Sequence, residues 1–386
     1  GAVTITTLNA NSTSAGTTLT IDGSTNTGGV TLSAVNSIIK SAITGSATAS
    51  NVLTGSTLAD TITGGVSADT ITGGAGADVL SGGLGTDTYA VGDGGLVAAV
   101  EGLNTGTATG IAVNLGATAV TAATINTAMS GTIGISASLA SVPASSSSAI
   151  YATQDALFST VTDTLSSFEI VTGTSGNDYF QGSTSGETLS TLAGVDYIVG
   201  GLGADTITGG DDADIIVLTE TTSSADRVLW TGTTAALIAT ETGSAAGTDN
   251  DYTIRAVGDT VTAFASGTDK LYFAADLVTN VLGTEVDTLK TIAAAGVVAN
   301  TDRFVEITTA LADGTMGVAI TALNGLTTTA VAIGDSFIAF VNDGTDGYLY
   351  LIEQVSAANT IAAQDVTLIG KLTGVIDVAT GDFVSY

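Results

Sequence analysis

Nine residues separate one acidic side chain from the next, repeatedly, in two stretches of this chain, and no other feature restricts its folding as tightly. The first stretch reads GSTLADTIT (55–63), GGVSADTIT (64–72), GGAGADVLS (73–81) and GGLGTDTYA (82–90), which puts Asp60, Asp69, Asp78 and Asp87 in phase. An apolar residue follows each acid by two: Ile62, Ile71, Leu80 and Tyr89. The second reads GTSGNDYFQ (173–181), GSTSGETLS (182–190), TLAGVDYIV (191–199), GGLGADTIT (200–208) and GGDDADIIV (209–217), with Asp178, Glu187, Asp196, Asp205 and Asp214 in the same phase. A short fixed period is the mark of a solenoid, in which each repeat packs only on its neighbours.

Each nonad divides into a six-residue Gly-rich turn and a three-residue strand whose middle side chain points inward. Gly pairs such as Gly64-Gly65, Gly73-Gly74, Gly82-Gly83 and Gly200-Gly201 allow the positive-φ backbone of a tight turn. Two nonads make one coil, so residues eighteen apart stack. Asp60 then lies on Asp78 along one edge and Asp69 on Asp87 along the other; Asp178, Asp196 and Asp214 line one edge of the second block, with Glu187 and Asp205 opposite. Bare, such carboxylates repel one another. With Ca²⁺ between successive turns, carboxylate and carbonyl oxygens supply the six or so ligands that the ion takes. The candidate ligands are the nine acids named above together with Gly64, Gly73, Gly76, Gly82, Gly200, Gly203 and Gly209. The stretch 191–196 lacks Gly at its first two positions and Glu187 is longer than Asp, so weaker ions are expected there.

Charge leads to the same cation. Against 37 Asp+Glu the chain has 7 Lys+Arg, a formal −30, and Lys40 is the only basic residue before Asp226. Such a surface repels phosphate and anionic lipid, which excludes nucleic acid as a partner, and its self-repulsion calls for bound cations. With no His and no Cys, the ligands that zinc, iron and copper prefer are missing, which leaves hard oxygen-bound ions. Charged residues are nevertheless only 11% of the chain and the mean hydropathy is +0.47, so it should pack rather than stay disordered. No membrane span is expected, and no N-terminal signal peptide. Without His, neither an H-E-x-x-H zinc site nor a Ser-His-Asp triad can exist, and the sequence gives no reason to expect an enzyme.

The nonads match the pattern G-G-x-G-x-D-x-U-x, and the chain therefore resembles the repeat-in-toxin (RTX) family of type I secreted exoproteins. IAVNL (111–115) and DTLSSFEIVTGTSGND (163–178) look like a connecting strand and the entry into a new roll, which makes 102–162 an insertion within one long roll. VGDTVTAFASGTDKLYF (257–273) is similar to the motif that follows the roll in serralysin-like domains; Ala263 stands where that motif has Asp, while Asp259 and Asp269 keep their places. VTLIGKLTGVIDVATGDFV (366–384) looks like the family's final strand, and the resemblance implies an uncleaved secretion signal in the C-terminal segment. Catalytically empty and rich in Thr, Ser, Ala and Gly, the chain is most like the calcium-dependent S-layer proteins of Gram-negative bacteria. That likeness implies a cell-surface location, Ca²⁺-bridged copies of itself as the main partner, and surface polysaccharide as a further one. The C-terminal end of a long RTX adhesin is the alternative.

The expected fold is thus all-β: a right-handed parallel β-roll with a C-terminal β cap. Its expected segments are an N-terminal β stretch (1–50), a first roll block (51–100), a connecting β insertion (101–170), a second roll block (171–220) and the cap (221–386). VTITTL (3–8), TTLTID (17–22) and VTLSAV (30–35) read as short strands of further coils, and 335–353 as a hairpin about an Asn-Asp-Gly turn. Asn342, Asp343 and Asp346 in that turn suit a solvated turn better than an ion site, and Tyr272, Phe273, Tyr348 and Tyr350 suit core strands better than a binding groove. One helix is expected, over 287–299, with Thr284 or Asp287 as cap and Leu289, Ile292 and Val297 near one face; 153–162 stays open between helix and strand.

Overall fold

The structure, a computed structural model, describes residues 1–5, 17–90, 108–133, 141–151, 162–219, 224–231, 259–274, 286–292, 296–299, 302–312, 322–323, 326–329, 335–353, 361 and 366–385. Two compact units divide the chain, Gly1–Gly201 and Leu202–Tyr386.

In the first unit, strands alternate between two sheets as the chain winds. One sheet holds β1 (Val3–Ile5), β3 (Val30–Ser33), β5 (Val52–Thr54), β7 (Thr70–Thr72), β9 (Thr88–Ala90), β13 (Ile170–Thr172) and β15 (Thr188–Ala193), all parallel. Facing it are β2 (Thr18–Asp22), β4 (Lys40–Thr44), β6 (Thr61–Gly65) and β8 (Val79–Gly83), again parallel. The register is set by the inward apolar position: Leu32, Leu53, Ile71, Tyr89, Val171 and Leu189 pair in line through one sheet, and Ile43, Ile62, Leu80 and Leu165 through the other. None is more than 2% exposed. A one-residue slip would turn every one of these side chains out of the core.

The connecting segment enters one sheet only. β12 (Thr162–Ser166) pairs with β8 in parallel, then β11 (Ser146–Tyr151) and β10 (Ala108–Asn114) follow antiparallel, and β10 leads in parallel to β14 (Tyr179–Gln181) and β16 (Tyr197–Val199). The other sheet passes directly from β9 to β13. In that sheet β9 ends at Ala90 and its next partner strand in the chain begins at Ile170, while β12, from Thr162, pairs with β8 in the other.

That insertion is not purely β, contrary to expectation. It carries helix α1 (Ala122–Ile133), whose Ile125 and Met129 pack on Val120, Val142, Ala112 and Tyr179. Thr121 caps it, its Oγ accepting the Thr124 amide at 3.1 Å. Thr, Ser and Gly within the helix give it weak intrinsic propensity, so burial of one side has to hold it.

The second unit begins with the same winding: β17 (Thr206–Asp211), β19 (Arg227–Trp230), β21 (Lys270–Phe273) and β29 (Phe383–Ser385) in one sheet, β18 (Ile215–Val217), β20 (Asp259–Thr262) and β28 (Val366–Thr373) in the other. The latter continues antiparallel into β27 (Gly347–Glu353) and β26 (Ser336–Asn342), the expected hairpin, then parallel into β24 (Asp302–Ile307) and β22 (Val286–Ile292). β23 (Val297–Ala299) pairs with β25 (Thr327–Thr329). Val305, Phe337, Ala339, Tyr350 and Ile352 share one core, while Trp230, Phe273 and Phe383 stack with centroids 5.2 and 6.1 Å apart in succession. Tyr348 and Phe273 are buried in strands, and Tyr272 lies in β21 beneath Arg227.

The helix expected over 287–299 is overturned. DTLKTI lies in β22, paired in register with β24, and Val297 and Val298 lie in β23. The helical spacing of Leu289 and Ile292 coexists with β-branched Thr288, Thr291, Val297 and Val298, and pairing with β24 decides between the two. Thr284 and nearly all of 153–162 lie outside the described residues.

Candidate metal centre

Glycines make the turns in two ways. Gly76 and Gly203 adopt φ of +114° and +107°, as a tight turn demands. Gly64, Gly73 and Gly209, at the first nonad position, have no positive φ; they are needed for space. A Cβ on Gly64 would strike Asp69 Oδ2 and the Gly82 carbonyl oxygen, one on Gly73 would strike Asp78 Oδ2, and one on Gly209 would strike Asp214 Oδ2. The Gly200 carbonyl presses likewise on Gly182. Each of Gly64, Gly73 and Gly209 therefore leaves room for the carboxylate oxygen of its own turn, and at Gly64 a carbonyl oxygen joins it to form a cradle.

The acids form ladders up the edges of the first unit. The amide of Asn51 donates to Asp69 Oδ1 at 2.7 Å, that of Asp60 to Asp78 Oδ1 at 2.8 Å, that of Asp69 to Asp87 Oδ1 at 2.8 Å, and that of Asp178 to Asp196 Oδ1 at 2.6 Å. The expected stacking of Asp60 on Asp78 and Asp69 on Asp87 is thus present. Asp60, Asp69, Asp78, Asp87, Asp178, Asp196, Asp205 and Asp214 are all at most 2% exposed, and Glu187 is 4% exposed.

In Asp69, Asp78 and Asp87 one carboxylate oxygen is thereby used, and the other is not, whereas Oδ2 of Asp60 accepts the Ser56 hydroxyl at 2.9 Å and that of Asp178 accepts the Thr174 amide at 2.8 Å. Oδ2 of Asp69, Asp78 and Asp87 is buried with no hydrogen-bond donor. Burial pushes the Asp60, Asp69 and Asp87 carboxyls up, and Asp78 is pushed up to about 8 by burial first and by Asp163 second. A buried anion without a counter-charge is strongly disfavoured, and a bound dication answers that directly. Among the described residues no three acidic side chains converge on one point. Hence carbonyl oxygens, such as that of Gly82 beside Asp69, must supply much of the shell, which suits Ca²⁺ with its 6–8 oxygen ligands. Residue types, orphaned oxygens and cradle all fit the ion.

The ladders also run past the nonads. The Asp78 amide donates to Asp163 at 3.0 Å and the Asp87 amide to Glu169 at 2.8 Å. In the second unit Asp205 donates to Asp226 at 2.9 Å, Asp214 to Asp259 at 3.1 Å and Asp226 to Asp269 at 3.2 Å; burial pushes Asp259 up to about 7. Most of these escape a nine-residue search because their turns are not six residues long. The usable signal is an acid or Asn two residues before an inward apolar side chain: Asn51–Leu53, Asp163–Leu165, Glu169–Val171, Asp226–Val228, Asp259–Val261 and Asp269–Leu271.

A family model for the RTX calcium-binding nonapeptide repeat matches in four copies, over residues 54–89, 172–203 and 190–218. These are RTX calcium-binding nonapeptide repeats. Such repeats bind calcium in multiple copies, so the cation that the ladders call for is Ca²⁺. A search of curated proteins finds no match to the chain.

Where the RTX pattern degrades, the backbone records it. Leu192 stands in the second-glycine position at φ +82° and Asp212 in the fourth position at +77°. The 342–346 turn closes on itself: the Asp343 carboxylate accepts the Thr345 and Asp346 amides and the Tyr348 hydroxyl, and Asp346 pairs with Lys371 at 2.7 Å. Lys371 beside Asp346 holds that carboxyl below the usual range. Among the described residues no helix is long and apolar enough to cross a membrane.

Proposed function

We propose that this secreted calcium-binding protein is a structural one, which folds when Ca²⁺ fills the ladders and then associates with copies of itself into a surface layer or filament. The ligands in this reading are Asp60, Asp69, Asp78, Asp87, Asp178, Glu187, Asp196, Asp205 and Asp214, with the carbonyls of the turn glycines. The observation that carries it is the file of buried carboxylates with orphaned Oδ2 atoms on a chain of net charge −30. At low free Ca²⁺ their repulsion keeps the repeats open and fit for type I export; at the higher Ca²⁺ outside a cell, ion binding becomes folding free energy.

Self-association draws support from exposed apolar side chains. Val3, Val35, Ile38, Val52, Val66, Val79 and Leu84 are each at least 43% exposed and all lie in the N-terminal part of the first unit. Ca²⁺ between acidic surfaces would also bridge copies that otherwise repel, and surface polysaccharide would anchor the layer. The test is a Ca²⁺ titration of the EGTA-stripped chain, following circular dichroism and light scattering together. Particles that grow as β-structure appears support assembly; β-structure without particles rejects it in favour of the end of an RTX adhesin.

A further inference from the structure

At the junction where the chain returns from its insertion, β8 and β12 pair so that Ser166 matches Ser81, which places Ser167 opposite Gly82. β9 and β13 pair so that Ile170 matches Thr88, which places Glu169 opposite Asp87. The six-residue turn 82–87 is thus answered by only three residues, Ser167, Phe168 and Glu169. Ser167 adopts φ +56°. Its carbonyl oxygen, with Asp87 Oδ2, crowds the point where a Cβ on Gly82 would stand. One coil earlier, Asp69 Oδ2 and the Gly82 carbonyl crowd Gly64 in the same way. A truncated turn without the nonad pattern therefore rebuilds the same pair of oxygens.

Three further observations mark this rung. Asp87 is fully buried, and its Oδ2 has no hydrogen-bond donor. Its amide is held by Glu169 Oε2 at 2.8 Å, so a glutamate, longer by one methylene, serves where the rungs below it use Asp78 and Asp87. Where three turn residues are missing, a cleft of about 190 Å³ opens, lined by Ser167, Glu169, Ser183 and Glu187 among others.

We infer that Asp87, the Ser167 carbonyl and Glu169 hold a Ca²⁺ ion that the nonapeptide pattern does not encode, one that opens onto this cleft. The family match stops at residue 89 and resumes at 172, so Ser167 and Glu169 lie outside it. The ion ties the end of the first block to the coil that follows the insertion, and fixes residues 82 positions apart. Because the cleft leaves part of its shell to water, it exchanges faster than ions enclosed between complete turns. The inference does not depend on whether copies associate.

The test uses the full chain. Bound Ca²⁺ per chain is counted by equilibrium dialysis for the parent and for Glu169→Gln, with circular dichroism to confirm folding at saturating Ca²⁺, and release into a fluorescent chelator is followed by stopped flow. The parent is expected to show one fast-released ion ahead of the rest, and Glu169→Gln to bind one ion fewer and lack the fast phase. Equal stoichiometry in the two chains, or a fast phase that survives the substitution, overturns the assignment. Should Glu169→Gln fail to fold, the parent decides: absence of a fast phase overturns the site. Light scattering reports on assembly separately.

Discussion

Replacing Asp78 by Asn isolates the charge on a single rung. Asp78 is 1% exposed, and burial together with Asp163 pushes its carboxyl up to about 8, whereas in the unfolded chain it titrates near 4. For a carboxyl raised in this way, the contribution to metal-free stability is fully present below about pH 4 and is lost as the pH climbs towards 8. At pH 7 the unfolded group is about three units past its midpoint, and at about 1.4 kcal/mol per unit this weighs ~4 kcal/mol against the metal-free fold. Water entry into a real interior brings the figure towards ~2 kcal/mol. Asn keeps the shape and an Oδ1 to accept the Asp60 amide, without the charge. The ladder already uses one: Asn51 Oδ1 accepts the Val30 amide at 2.9 Å, and its Nδ2 donates to Asp69 at 2.8 Å. Asp78→Asn should therefore stabilise the chain in EGTA at neutral pH by ~2–4 kcal/mol and flatten its stability between about pH 4.5 and 7.5. In Ca²⁺ the sign reverses, because an anionic ligand is lost; the folding midpoint should rise about tenfold, or 1.4 kcal/mol. Circular dichroism against pH in EGTA reads the first, as folding that persists to higher pH in the variant, and a Ca²⁺ titration followed by circular dichroism reads the second. A variant that unfolds at a lower pH than the parent in EGTA would refute the argument.

Three further changes test the frame. Leu192→Gly removes a bulky side chain from a +82° backbone, and thermal unfolding in Ca²⁺ should show a gain of about 1 kcal/mol, against which loss of the partly exposed Leu contact is small. Ile71→Ala empties a wholly buried position in the stack between Leu53 and Tyr89 and should cost about 2–5 kcal/mol by urea unfolding in Ca²⁺. Gly64→Ala drives a methyl group into Asp69 Oδ2 and the Gly82 carbonyl; calorimetric titration should show weaker Ca²⁺ binding, together with ~1–3 kcal/mol lost from the Ca²⁺-loaded fold.

How far the sequence speaks can be judged from particular residues. Where turn length is constant, phase alone locates Ile62, Ile71, Leu80 and Tyr89 in the core and the acids two residues before them. Once the turn changes length, as between Ser166 and Ile170, the phase is lost although the rung persists, because pairing within each sheet keeps Glu169 opposite Asp87. The hairpin of β26 and β27 is legible because each strand has an unbroken apolar run, 337–341 and 348–352, and an Asn-Asp-Gly turn joins them. Residues 287–299 mislead because a cap-like Asp and spaced Leu and Ile mimic a helix, while the partner that decides the matter, β24, becomes adjacent only in the folded unit. Helix α1 has the opposite fault: its Thr and Ser look like strand or turn, and what holds it is burial of Ile125 and Met129 against Tyr179, some fifty residues on.

Backbone hydrogen exchange at the ladder amides tests most directly the claim that Ca²⁺ and the fold are one equilibrium. The amides of Asp60, Asp69 and Asp178 each donate to the carboxylate of the next rung. The account predicts strong protection of all three in Ca²⁺ and its loss in EGTA at neutral pH, with partial return on acidification. Equal protection with and without Ca²⁺ at neutral pH would contradict it.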